Sequence, residues 1–234
     1  MDIASRPSDA LADPAANSQT ADAAPAVIRR EDYRPPDWLV PEVALDFALG
    51  LENTRVASRL DVRRNPDGAS EGGGDAPLRL NGDGITPLAV RVDGQAVNDW
   101  RMDGPDLLIA LAGDAHTVEV ETAIDPAANS QLMGLYASNG MLCTQCEAEG
   151  FRRITFFPDR PDVLSTYRVR MTGDKAAFPV LLANGNCTAS GEGPPDENGG
   201  GTHWAEWHDP WPKPCYLFAL VAGQLVANHA TFTT

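Results

Sequence analysis

Cys143-Thr-Gln-Cys146 is a close cysteine pair in a chain with four cysteines. Two thiolates at this spacing can hold a zinc ion or run thiol–disulfide exchange. A structural zinc site wants a second close pair, and Cys187 and Cys215 stand alone. An exchange motif wants a following helix in a βαβ setting, which the surrounding pattern does not offer. The residues therefore favour packing or loop cysteines. Gln145, Glu147 and Glu149 occupy alternate positions through the same stretch. On an extended segment the three share one face. That would set two carboxylates and an amide together, the chemistry that anchors an ammonium group. The bland reading is a solvated surface charge, the usual fate of any one of 33 acidic residues.

His203 and His208 flank Trp204 and Trp207. Their odd separation sends them to opposite faces of a strand, so a shared metal is disfavoured against rim histidines beside core tryptophans. Trp204, Trp207 and Trp211 would make an aromatic platform for a sugar if they lined up, but tryptophans buried in a β-core are common. Asn186-Cys187-Thr188 fits the glycosylation sequon, yet the amino terminus has no apolar stretch of the secretory kind. The glycines of Ser-Glu-Gly-Gly-Gly-Asp at 70–75 precede no helix, so they form no phosphate cradle.

The elements that carry these residues read mainly with period two. Val43, Leu45, Phe47, Leu49 and Leu51 alternate with smaller or polar residues. After Asn53-Thr54, so do Val56, Ser58, Leu60 and Val62. Two such runs about a polar break predict a β-hairpin. Leu88, Val90 and Val92 predict a strand ended by an Asp93-Gly94 turn. Leu107 to Leu111 and Thr117 to Thr122 read as a further pair joined across Gly113-Asp114. Tyr167, Val169 and Met171 form another strand, and Trp204 to Trp207 and Cys215 to Val221 two more. One helical turn is expected over Asp162 to Thr166. With no long amphipathic helix, the class is all-β and sandwich-like. Residues 1–26 are rich in Ala, Asp, Ser and Pro and predict a disordered tail; residues 27–234 form the β-domain. The heptapeptide Asp-Pro-Ala-Ala-Asn-Ser-Gln stands at 13–19 and again at 125–131, with no matching flanks.

The 234 residues bury a sizeable core without staples. Eighteen Lys and Arg face 33 Asp and Glu, a net charge of −15. That argues against nucleic acid or an anionic membrane as partner, because phosphate binding needs clustered positive charge. No run approaches the roughly 18 apolar residues of a membrane span. A soluble, cytoplasmic protein is expected.

Gly134-Leu-Tyr-Ala-Ser, followed by Cys143-Thr-Gln-Cys-Glu-Ala-Glu-Gly-Phe-Arg-Arg-Ile-Thr-Phe-Phe-Pro-Asp-Arg-Pro-Asp-Val-Leu164, resembles the N-terminal domain of bacterial aminopeptidase N, a family of gluzincin zinc metallo-aminopeptidases. Tyr33-Arg-Pro-Pro-Asp37, Ala76-Pro-Leu-Arg-Leu-Asn-Gly82, Leu182-Ala-Asn-Gly-Asn186 and Trp207-His-Asp-Pro-Trp-Pro-Lys-Pro-Cys-Tyr-Leu-Phe-Ala-Leu-Val-Ala-Gly223 extend the likeness over about 28–234. The resemblance implies a saddle-like, mostly antiparallel β-domain that caps a thermolysin-like catalytic domain of the same parent chain. It implies that Glu147 binds the α-amine of a peptide substrate and that Gln145 lines the pocket for the first side chain. Glu149, Arg152, Asp159 and Arg160 are expected from their charges to hold the segment in place.

The sequence also departs from the family pattern. It contains no His-Glu-x-x-His and no Gly-x-Met-Glu-Asn; in the family both lie beyond the matched stretch. Zinc is thus expected in the parent's catalytic domain and not in this chain, and no residue here is expected to be catalytic. The uncapped run after Cys215 reads as a cut through a longer protein, and Pro-Pro-Asp-Glu-Asn-Gly-Gly-Gly at 194–201 as a lengthened hairpin loop. The competing reading is a stand-alone β-sandwich module that binds peptides or glycans.

Overall fold

The structure, a computed structural model, describes residues 29–68, 76–195 and 200–233. The expected tail at 1–26, the first heptapeptide copy, the 70–75 loop and the middle of the 194–201 loop lie outside the described residues. The chain divides into two units, 1–33 and 34–234. The described part of the first holds a single 3-10 turn, Arg30–Asp32, with nothing buried.

The second unit begins with the expected hairpin, β1 (Trp38–Ala48) and β2 (Thr54–Arg64). Its register sets Val43 against Leu60 and Phe47 against Val56. All four side chains are buried, each worth roughly 1.5–3 kcal/mol over exposure. Next come β3 (Leu78–Leu80), β4 (Ala89–Val92), β5 (Gln95–Ala96), β6 (Arg101–Asp103) and β7 (Asp106–Ile109). β8 (Ala115–Ile124), β9 (Gly134–Ser138) and β10 (Met141–Gln145) follow. Beyond the site segment lie β11 (Ser165–Asp174), β12 (Val180–Ala183), β13 (Asn186–Glu192), β14 (Thr202–Lys213) and β15 (Leu220–Gly223).

These strands make three sheets. The largest has the order β13-β14-β11-β1-β2-β8-β4-β5; the others run β12-β15-β10-β9 and β3-β7-β6. The pairings are antiparallel except that of β1 with β11, which is parallel. The all-β class is thus observed. One apolar cluster joins the inner faces of all three sheets, from Phe47 and Tyr167 through Leu78 and Leu107 to Leu142 and Leu220. Ser58 sits in it at 2% exposure. Its hydroxyl donates to the Val120 carbonyl (3.2 Å) and accepts from Thr155 (3.0 Å), which satisfies an otherwise costly buried group.

Three local expectations are corrected. β7 and β8 do not pair with each other: β7 lies between β3 and β6, and β8 between β2 and β4. Adjacent apolar runs reveal strands but not partners. The helical turn expected over Asp162 to Thr166 is absent, because Thr166 and its neighbours are drawn into parallel pairing with Glu42 onward. Of the apolar run from Cys215 to Val221 only the end is strand. Cys215–Leu217 is a 3-10 turn closed by bonds from the Leu217 and Phe218 amides to the Pro214 and Cys215 carbonyls.

Candidate functional site

Gln145 is the last residue of β10, and 147–150 form a turn rather than an extended segment. The expected shared face of Gln145, Glu147 and Glu149 therefore does not exist. The Gly150 amide closes the turn on the Cys146 carbonyl at 2.8 Å. Glycine is required there: a Cβ on residue 150 would lie 2.3 Å from the Gln145 carbonyl oxygen. The Gln145 side chain donates from Nε2 to the backbone carbonyl of Glu147 at 3.2 Å. The two residues are brought together, but the Gln145 amide meets the Glu147 backbone and not its carboxylate. Glu149 turns instead to Arg152, 3.3 Å from its guanidinium.

Behind the turn, Phe151–Arg153 is a 3-10 turn. Phe151 is fully buried against Phe157, Phe218 and Tyr167, with ring centroids 5.1, 5.2 and 6.2 Å away. Arg152 binds Asp159 three times. Its amide and Nε donate to Oδ2 (3.1 and 2.9 Å), and Nη2 donates to the Asp159 carbonyl (3.0 Å). Burial works against the Arg152 charge, but the bond and charge of Asp159 outweigh it and hold the guanidinium pKa above its ordinary value. The Asp159 side chain is 2% exposed. Its other oxygen accepts from the Cys215 thiol (2.9 Å), and its amide donates to Asn81 Oδ1 (3.1 Å). Arg160 forks onto Asp162 through Nε and Nη2 (2.8 and 2.6 Å). The bracing expected of Glu149, Arg152, Asp159 and Arg160 is thus seen, and Asn81, just after β3, and Cys215, in the 3-10 turn before β15, join it from far along the chain. No local spacing announces those two.

Glu147 is exposed and differs from its charged neighbours. Among the described residues its carboxylate has no hydrogen-bond or ion-pair partner. With Ala148, Glu149, Asp159, Pro161 and Tyr216 it lines a cleft of about 270 Å³. An unpaired carboxylate on a small cleft can receive a cationic group without first giving up a partner within the protein.

The other candidates fall apart in space. All four cysteines are free thiols. Burial, with the charge of Asp159 adding to it, pushes the Cys146 thiol up to about 12, and the same causes raise Cys215 further. Among the described residues no group of three His, Cys, Asp or Glu side chains converges as a metal site. His203 bonds the Phe178 carbonyl (2.7 Å), while His208 lies opposite Arg168 in the β11–β14 ladder. Trp204 lies 4.1 Å beneath the Arg170 guanidinium, Trp207 packs against the core and Trp211 is 76% exposed. They make no common platform, and of these three only Trp207 packs on the core.

The Peptidase M1 N-terminal domain family matches residues 97–217. Aminopeptidase N of Caulobacter vibrioides is 49% identical over 203 residues, which is 86% of this chain and 22% of that protein. Aminopeptidase N of Escherichia coli is 44% identical over 205 residues, 88% of this chain and 22% of that one. The chain thus spans about a fifth of the length of these relatives. Among solved structures, Legionella pneumophila aminopeptidase A in complex with aspartic acid superposes with a TM-score of 0.76 at 31% identity, over 84% of this chain and 22% of that one. A mutant of the M1 zinc metallopeptidase of Deinococcus radiodurans, solved bound to a Tyr-Ser-Ala substrate, shares the fold at a TM-score of 0.64 and 19% identity, over 80% of this chain and 42% of that one. Family match, sequence identity and fold agree: the chain belongs to the peptidase M1 N-terminal domain family.

Proposed function

We propose that this chain is the substrate-anchoring domain of a zinc aminopeptidase that removes N-terminal amino acids from peptides. In this reading Glu147 takes the substrate's α-ammonium and Gln145 borders the pocket for the first side chain. The zinc and the groups that activate water belong to a thermolysin-like catalytic domain elsewhere in the parent. In this reading the domain contributes binding and orientation of the substrate.

The observation that carries the reading is the unpaired Glu147 carboxylate on its cleft, set in a segment whose other charges are all engaged. A largely desolvated ammonium–carboxylate bond contributes about 1.5–3 kcal/mol. It favours a free amino terminus over an internal amide, which carries no charge. It also fixes register, so that the first peptide bond alone reaches the reacting centre. The bond from the Gln145 side-chain amide to the Glu147 backbone carbonyl ties the pocket wall to the anchor.

The test is Glu147→Gln in the complete peptidase, assayed with an aminoacyl chromogenic substrate. KM is expected to rise about tenfold or more, the equivalent of losing that bond. The preference for free over N-acetylated peptides is expected to narrow. Unchanged kinetics toward both would remove Glu147 from the site.

A further inference from the structure

Two segments far apart in sequence border the cleft: the 147–149 turn, and the 3-10 turn Cys215–Leu217 that presents Tyr216. No hydrogen bond runs directly between them among the described residues. Their link is the Asp159 carboxylate. One oxygen takes the amide and Nε of Arg152, at the C-terminal root of the Glu147 turn. The other takes the Cys215 thiol, at the root of Tyr216. Asp159 is itself fixed through its amide to Asn81, which is bridged by backbone bonds to Phe157 (2.8 and 3.2 Å). The carboxylate is nearly inaccessible, so its two oxygens have no solvent to turn to if a donor is lost.

We propose that Asp159 and Cys215 are positioning residues that set the spacing between Glu147 and Tyr216, and with it the fit of the cleft to a substrate amino terminus. The inference rests on Glu147 being the ammonium anchor. Cys215 thus has a polar duty, although its burial and apolar setting suggest a packing cysteine. A thiol that only fills space prefers alanine to serine as a replacement, because serine brings an unpaired hydroxyl into the core. A thiol that donates to Asp159 prefers serine, which keeps a donor.

The experiment compares Cys215→Ala, Cys215→Ser and Glu147→Gln in the complete peptidase, reading kcat and KM separately. Cys215→Ala is expected to raise KM about three- to tenfold, as befits one weak donor to a charged acceptor, with kcat per active site within about twofold. Cys215→Ser is expected to restore KM to near the parent value. Asp159→Asn must turn an N–H toward Arg152 or Cys215; it is expected to raise KM likewise, and it supplies the reading should Cys215→Ala aggregate. If Glu147→Gln raises KM while Cys215→Ala and Asp159→Asn do not, the positioning role is wrong and the anchor stands. A serine variant worse than alanine marks Cys215 as packing and overturns the proposal. If Glu147→Gln leaves KM unchanged, the anchor fails and the positioning role falls with it.

Discussion

Glu147 and Cys146 are neighbours with opposite relations to solvent, and the difference comes from one turn. Cys146 faces inward at 3% exposure, and burial beside the Asp159 charge destabilises its thiolate. Cys187 is exposed on β13. At pH 8 a thiol reagent is expected to modify Cys187 in the native chain and to spare Cys146 and Cys215 until denaturant is added. Mass spectrometry of the labelled peptides checks this; rapid labelling of Cys146 in the native chain would contradict its burial. The same residues show how far the site was legible. Glu147 and Gln145 stand in a block whose wording carried them by resemblance. Period-two spacing alone suggested a shared carboxylate face, and the Cys146–Gly150 turn abolishes it. Asn81 and Cys215 were illegible as partners because they reach Asp159 across separations of 78 and 56 residues.

Elements were more legible where local chemistry decides them. Asp93 and Gly94 join β4 to β5 with φ values of 53° and 77°, which glycine and aspartate tolerate better than most residues. Asp93 does more than turn the chain. One oxygen accepts from the Thr117 amide (2.9 Å) and the other meets His116 Nδ1 (2.8 Å), binding the turn to β8. The His116 bond, then the Thr117 amide, hold the Asp93 carboxyl below its ordinary 3.8. A carboxyl with a depressed folded-state pKa adds stability above its unfolded value and loses it as pH falls. Asp93→Asn is therefore expected to lower the melting temperature slightly at pH 6, with the difference from wild type closing as pH drops below 3.8. Melting curves from pH 6 to pH 2.5 check the sign; a gap that widens on acidification would refute it. The β1–β2 hairpin was equally readable, from alternation about Asn53-Thr54. The partners of β7 and β8 were not, because pairing depends on which sheet each strand joins, a decision made at long range.

At the scale of the molecule, one cluster serves three sheets, and Phe151 stands where the site segment enters it. Phe151→Ala removes a fully buried ring and is expected to cost about 3–5 kcal/mol. Because the sheets share the cluster, the loss should appear as a lower denaturant midpoint common to far-UV and near-UV signals. Separate transitions for the two signals would show that the sheets unfold independently.

The parallel pairing of β1 with β11 also shapes how the chain comes into being. Ser165 bonds the Val40 carbonyl across a separation of 125 residues, so β1 emerges from the ribosome long before its neighbour exists. At roughly 5–20 residues per second the wait is on the order of ten seconds. Through that interval the open edge of β1 carries amides without a strand partner beside Val43, Leu45 and Phe47, a surface prone to pairing with other chains. Slower translation ahead of Ser165 would lengthen the exposure, and slower translation after it would give the parallel pair time to form.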